Sequence, residues 1–220
     1  MLTVNQLSCE RNERLLFHNL SFQLASGEVL QIEGQNGAGK TTLLRIIAGL
    51  SSLTQGGISW NGQSLSSVYE DFRLNSFFLG HKPGLKMELS SLENMRWRLQ
   101  LKNINASEPA LLSTLEQVGL FGYEDIPCCH LSAGQLQRVA FACLIVSRVK
   151  LWILDEPFTA IDTKGIIWLE NLIDNHAEQG GMVLITSHQP LSDRRGNLRK
   201  LKLEQFTAVD DEQEAFDAKY

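Results

Sequence analysis

The sequence predicts an α/β fold: a parallel-sheet core, with an antiparallel β subdomain ahead of it and an α-helical subdomain inserted into it. Three observations carry this. Leu151-Trp152-Ile153-Leu154 and Met182-Val183-Leu184-Ile185 are short continuous apolar runs, the pattern of strands covered on both faces. A helix from Thr163 to about Ala177 fits between them, which makes a strand–helix–strand crossover. Between 84 and 132, Leu92, Met95 and Leu99, then Leu111, Leu112, Leu115 and Val118, recur at helical spacing.

The elements follow in order. Leu2 to Ser8, Leu16 to Leu24 and Glu28 to Glu33 alternate or run apolar as strands, with Ala25-Ser26-Gly27 turning between the last two. Lys40 to Leu50 has helical spacing, with Leu43, Leu44, Ile47 and Leu50 on one side. Gly56-Gly57 and Asn61-Gly62 bracket a short strand, Ile58-Ser59-Trp60, of a small antiparallel sheet. Ser76 to Gly80 is a further strand, and after His81-Lys82-Pro83-Gly84 the character becomes helical. Leu198 to Phe206 offers a last strand. This divides the chain into a core (1–83 and 133–208), an inserted helical subdomain (84–132) and an acidic tail (209–220). The tail, with Asp210, Asp211, Glu212, Glu214 and Asp217, is expected to be solvated.

Bulk composition narrows the function. The 220 residues suffice for one large domain with an inserted lobe, and 43% hydrophobic with 20% charged residues is ordinary for a globular protein. A net charge of −5 gives no reason to expect a nucleic-acid partner. No stretch reaches the roughly 18 uninterrupted apolar residues of a membrane span. The N-terminus lacks the basic start and apolar run of a secretory signal. The chain is therefore expected in the cytosol, with any membrane role reached through a partner. Cys9, Cys128, Cys129 and Cys143 do not have zinc-site spacing and are expected to be buried or incidental thiols.

The chemistry is concentrated in four short segments. Gly34-Gln35-Asn36-Gly37-Ala38-Gly39-Lys40-Thr41-Thr42 follows a strand and opens a helix, the context of a phosphate-binding loop. Gly34, Gly37 and Gly39 let successive N–H groups of the loop, through Asn36 and Ala38, face phosphate oxygens, and the helix adds the positive end of its dipole. Lys40 is expected at the β- and γ-phosphates, Thr41 on Mg²⁺ and Thr42 at the α-phosphate. Asp155 and Glu156 end an apolar strand at the carboxyl edge of the sheet, where ligands of such sheets bind. Asp155 is expected to hold Mg²⁺ and Glu156 to orient and deprotonate the attacking water. His188 follows the next core strand, where an imidazole can donate to a γ-phosphate oxygen and fix the catalytic carboxylate.

The fourth segment, Leu131-Ser132-Ala133-Gly134-Gln135, reads first as a helix N-cap, with Ser132 capping a stretch through Val146. Its hydroxyl and backbone donors at a helix N-terminus also form an anion site. In the family that a chain with all four segments resembles, named below, that site serves the ATP of a second copy.

Together these residues resemble the ATPase subunits of ABC transporters over nearly the whole chain, which implies a RecA-like P-loop ATPase core. The phosphate loop is similar to the Walker A motif, Leu154 to Glu156 to Walker B and Leu131 to Gln135 to the signature, with Ala133 where glycine is usual. Thr159-Ala160-Ile161-Asp162 resembles the D-loop and His188 the switch histidine. Two positions depart from the family. His81 stands where the family has the Q-loop glutamine, and histidine can still exchange hydrogen bonds with a water. Arg11 falls near the position of the aromatic that stacks on adenine, and a guanidinium can also lie flat on a base.

With these departures, Cys9-Glu10-Arg11, Gln31 to Gly34, Gly80 to Gly84, Leu92-Glu93-Asn94, Pro157 to Asp162 and His188 to Leu191 resemble one subfamily. It is the CcmA-type ATPase subunits of bacterial cytochrome c maturation, called haem exporters. The resemblance implies ATP and Mg²⁺ as cofactors and a head-to-tail homodimer closed over two ATP molecules. It also implies a peripheral position on the cytoplasmic face of the inner membrane, with integral membrane partners of CcmB, CcmC and CcmD type. Hydrolysis would drive haem export or release of a haem-loaded chaperone. A helix of the membrane subunit would dock near Met87 to Leu99, where Leu92, Met95 and Leu99 also read as core. No direct haem binding is expected, because Cys128, Cys129 and His130 do not form Cys-x-x-Cys-His. The rival readings are an ABC subunit serving another small solute and a soluble, non-transport ABC ATPase.

Overall fold

The structure is a computed structural model that describes residues 1–11, 14–159 and 161–207. The acidic tail (209–220) and Ala160 of the D-loop segment lie outside the described residues.

The alternating N-terminal segments pair as an antiparallel sheet. Strands β1 (Leu2–Arg11) and β2 (Arg14–Leu24) lie beside β4 (Gln55–Trp60) and a two-residue β5 (Gln63–Ser64), in the order β2-β1-β4-β5. The continuous apolar runs build the second sheet. It consists of β3 (Val29–Glu33), β6 (Ser76–Leu79), β7 (Leu151–Asp155), β8 (Met182–Thr186) and β9 (Leu198–Lys202) in the order β6-β7-β8-β3-β9. Every pairing in it is parallel, so the carboxyl ends of all its strands lie along one edge.

Two cores flank this sheet. On one face Leu30, Ile32, Leu151, Ile153 and Leu184 pack with α1 (Lys40–Ile47) and with the apolar face of the antiparallel sheet. On the other face Leu154, Val183 and Ile185 pack with α6 (Thr163–Glu178) and with the helices between 84 and 147. Those helices are α3 (Ser91–Gln100), α4 (Glu108–Gln117) and α5 (Ala133–Ser147). Leu92, Met95 and Leu99 are buried among them.

The structure differs from the expectations at five places. Helix α1 stops at Ile47 because Gly49 turns left-handed (φ 73°), so Leu50 is 51% exposed and is not on the buried side. Gly56 and Gly57 lie inside β4 instead of bracketing it. A Cβ on Gly56 would stand 2.4 Å from Gln6 O, so only glycine lets β4 approach the irregular part of β1. Leu198 to Phe206 is a strand only to Lys202, then a 3₁₀ turn (Leu203–Phe206) that buries Leu203. Leu112 is a half-exposed member of α4. A short helix, α2 (Tyr69–Asn75), was not anticipated; it buries only Phe72, too little for a periodic signal.

Candidate functional site

The parallel topology brings the separated segments to one edge. The phosphate loop leaves β3, Glu156 follows β7, His188 follows β8 and His81 follows β6. Asp155 lies in register with Thr186, and Ile32 with the same Thr186, so the ends of β7, β8 and β3 stand side by side. The result is a cleft of about 480 Å³. It is lined by Arg11, Leu16, Gln35, Asn36, Gly37, Gly39, Lys40, Thr41, Thr42, His81, Glu156, Thr159 and His188.

The loop is shaped by backbone that only glycine adopts freely. Gly37 has φ 83° and Gly39, the N-cap of α1, has φ 99°. A side chain on Gly39 would meet Leu16 Cβ at 3.2 Å. The ammonium of Lys40, a buried lysine, is held at the loop mouth by donating to Gly34 O (2.5 Å) and Gln35 O (3.3 Å). Ala38 packs its methyl toward the core and contributes backbone only. Glu204, on the turn after β9, accepts the Gln35 N–H at 2.7 Å and so ties the start of the loop to the far end of the sheet.

The acidic strand end has two differently placed carboxylates. Asp155 is buried, and its Oδ1 accepts the hydroxyls of Thr186 (2.8 Å) and Thr41 (3.1 Å). Glu156 sits at φ 51°, which costs a non-glycine residue of order 1 kcal/mol and here turns the carboxylate away from the strand line. Its N–H is shared between Thr186 O (3.2 Å) and Thr186 Oγ1 (3.0 Å), which pins that turn. Glu156 Oε2 accepts the His188 N–H at 3.2 Å, and Oε1 stands 3.5 Å from His188 Nε2. Glu156 Oε1 is buried with no hydrogen-bond partner among the described residues. A carboxylate oxygen left without a donor keeps its capacity to accept a proton, and the imidazole beside it lies within reach of the same acceptor.

The signature segment is elsewhere. Ser132 caps α5 in a capping box: its hydroxyl accepts the Gln135 N–H (3.3 Å), and Gln135 Oε1 accepts the Ser132 N–H (2.9 Å). Ser132, Gly134 and Gln135 line a different cleft of about 750 Å³, together with Asp162 and Lys164, while Ala133 begins the helix beside them. Asp162 is the N-cap of α6, its Oδ1 accepting the Gly165 N–H at 2.8 Å. The two clefts have no lining residue in common.

Three residues that organise the site have no assigned role in the sequence: Thr186, Glu204 and Gln137; Thr159, the first residue of the D-loop segment, lines the cleft. Gln137 lies buried on α5, and its Nε2 donates to Pro157 O (3.4 Å), linking the signature helix to the acidic strand end. Only Thr186 had a local signal, its place at the tip of an apolar run. Cys9, Cys128 and Cys143 are buried and Cys129 is exposed, all as free thiols. Burial pushes the Cys143 thiol up to about 11. No helix among the described residues is long and apolar enough to cross a membrane.

Comparisons with known proteins give the family. The ABC transporter family model matches residues 17–159. The cytochrome c biogenesis ATP-binding export protein CcmA of Vibrio vulnificus (strain CMCP6) is 47% identical, over 92% of this chain and 99% of that protein. The protein of the same name from Vibrio cholerae is 49% identical over 92% and 98%. Among solved structures, an ATP-binding subunit of an ABC transporter superposes with a TM-score of 0.82 at 26% identity, covering 99% of this chain and 93% of that one. A dimeric bacterial ABC transporter cassette superposes at 0.79 with 23% identity, over 92% and 95%. The chain thus belongs to the ABC transporter family and, within it, to the CcmA group of cytochrome c biogenesis ATP-binding export proteins.

Proposed function

We propose that the chain is the ATP-hydrolysing subunit of a membrane ABC complex for cytochrome c maturation, whose turnover drives haem export or release of a haem-loaded chaperone. The relatives' name supports the process, and the edge that gathers Lys40, Thr41, Glu156 and His188 supports the reaction. In this reading the core (1–83 and 133–208) holds the nucleotide and the inserted subdomain (84–132) receives the membrane partner.

ATP binds with its phosphates on the N–H groups from Asn36 to Thr42. Lys40 exchanges its two carbonyl contacts for β- and γ-phosphate oxygens, and Arg11 lies near the base. Mg²⁺ fits Thr41 and Asp155, which offer hard oxygen donors 3.1 Å apart beside the loop, and when bound it would neutralise phosphate charge. Glu156 accepts a proton from the attacking water, with its carboxylate oriented by the His188 N–H. His188 Nε2 and His81 face the γ-phosphate end and stabilise the charge that builds there.

The observation that supports a two-chain site is the separation of the clefts. Within one chain, Ser132, Gly134 and Gln135 do not line the cleft of Lys40 and Glu156. A head-to-tail partner would bring its own Ser132 to Gln135 and Asp162 over this chain's nucleotide. The partners are then a second copy and integral membrane subunits of CcmB, CcmC and CcmD type, and the chain lies on the cytoplasmic face of the inner membrane. Met87 (39% exposed) and Trp97 are the accessible residues for that docking, because Leu92, Met95 and Leu99 are consumed by the core.

Affinity purification from detergent-solubilised membranes tests the whole reading. Co-purification with CcmB-, CcmC- and CcmD-type subunits, with phosphate release lost in a Lys40→Ala chain, is the expected result. Co-purification with the permease of a solute importer would contradict it.

A further inference from the structure

The joint between core and inserted subdomain is gripped by one side chain. Arg98, on α3, directs its guanidinium at main-chain carbonyls: Nη2 donates to Pro83 O (2.6 Å) and Gly84 O (3.2 Å). The same guanidinium lies 5.3 Å from the Phe77 ring on β6. Gly84 is left-handed (φ 65°), and a Cβ there would stand 2.9 Å from Arg98 Nη2, so the glycine leaves the room that the guanidinium occupies. One helical turn earlier, fully buried Asn94 accepts the Lys86 N–H (2.8 Å) and donates to Lys86 O (2.9 Å). Residues four apart share a helix face. Asn94 and Arg98 therefore fasten 83–86 to α3 as one body.

His81 is two residues ahead of Pro83 and lines the cleft with Glu156 and His188. Two residues of chain span at most about 7 Å. That short connector, with Lys82 as its middle, limits how far His81 can part from the segment held by α3. One turn further, Lys102 donates to Arg73 O (2.8 Å) and Ser76 O (2.5 Å), which fixes the other end of the joint to the core. The lobe can then pivot about the Lys102 end while the Arg98 end carries His81 toward or away from the nucleotide.

We propose that Arg98 is a positioning residue for hydrolysis: it sets the place of His81 in the nucleotide cleft according to the stance of α3. This rests on the reading of His81 as a group acting at the γ-phosphate.

The test is a double-mutant cycle on the purified membrane complex, with kcat, KM for ATP and Tm measured for His81→Ala, Arg98→Ala, Arg98→Lys and the His81→Ala/Arg98→Ala double variant. His81→Ala should lower kcat about tenfold or more. Arg98→Ala should lower kcat by a similar factor with KM unchanged, and the double variant should be no slower than His81→Ala alone. Arg98→Lys, which keeps a donor for one carbonyl, should recover part of the rate. Gly84→Ala keeps Arg98 and crowds it, and should lower kcat in the same way even if Arg98→Ala does not fold. Losses that multiply in the double variant would overturn the role of Arg98 while leaving that of His81 standing. An unaltered kcat in Gly84→Ala would do the same. A His81→Ala complex working at the wild-type rate would overturn the reading of His81, and this proposal with it.

Discussion

Glu156 and His188 are joined twice: the carboxylate accepts the His188 backbone N–H at 3.2 Å, and its other oxygen stands 3.5 Å from the imidazole Nε2. The first contact fixes the orientation of the carboxylate, and the second puts a ring nitrogen beside the oxygen that lacks a donor. Glu156→Gln keeps the backbone contact and removes the base. Phosphate release should fall by about 10²–10⁴-fold, and ATP should still bind. Size-exclusion chromatography with ATP should show a trapped dimer, and a chain that hydrolyses normally would rule out Glu156 as the base.

Thr186 serves both carboxylate residues at once, donating to Asp155 Oδ1 and accepting from the Glu156 N–H. Thr186→Val has nearly the same shape but removes one of the two hydroxyl donors to the buried Asp155 carboxylate and loosens the φ 51° turn. It should destabilise the fold by about 1–3 kcal/mol in urea unfolding, whereas Thr186→Ser should lose much less.

Glu204 touches the site from the far end of the chain. Glu204→Ala frees the Gln35 N–H, which is exposed and can turn to water. KM for ATP should therefore rise only a few-fold, about 1 kcal/mol, with kcat little changed. Glu204→Gln, which still offers an acceptor oxygen, should restore most of the affinity.

His176 stacks on Trp152 with ring centroids 3.8 Å apart and planes 5° from parallel. Burial pushes its pKa down to about 4, against the hydrogen bonds to Lys150 and Met182 that raise it. The unfolded chain, with an ordinary histidine, binds a proton that the folded chain refuses in the window from about 6.5 down to about 4. Stability contributed by neutral His176 is thus present above that window and lost as the pH falls through it. His176→Phe should keep the stack and flatten the fall of Tm between pH 7 and pH 5, as followed by circular dichroism.

Most of the fold was legible because its signals are local. The runs Leu151–Leu154 and Met182–Ile185 need no partner to be recognised as covered strands, and parallel pairing carries whatever follows them to one edge. Lys40, Thr41, Asp155, Glu156 and His188 could be expected at one edge for that reason, and the structure gathers them there. Glu204 and Gln137 could not, because their contacts reach 169 and 20 residues along the chain to backbone atoms, and backbone partners leave no trace in residue types. Leu50 was misjudged because the helical spacing continues past Gly49, whose left-handed turn ends the helix. Arg98 was hidden too: its spacing on α3 is that of an ordinary solvated arginine, and only the turn at Gly84 shows what it holds.

If each hydrolytic site is built from two chains, two inactive variants with complementary defects should restore one another. One chain carries Lys40→Ala, the other Ser132→Arg, and the doubly tagged mixed dimer is purified with its membrane subunits. Each pure variant should be inactive, because every site in it lacks either the phosphate-loop lysine or an accessible signature. The mixed dimer has one site that takes Lys40 from one chain and Ser132 from the other, and should regain a measurable share of ATP hydrolysis. Full activity in the Ser132→Arg complex alone, or no activity in the mixed dimer, would contradict the two-chain site.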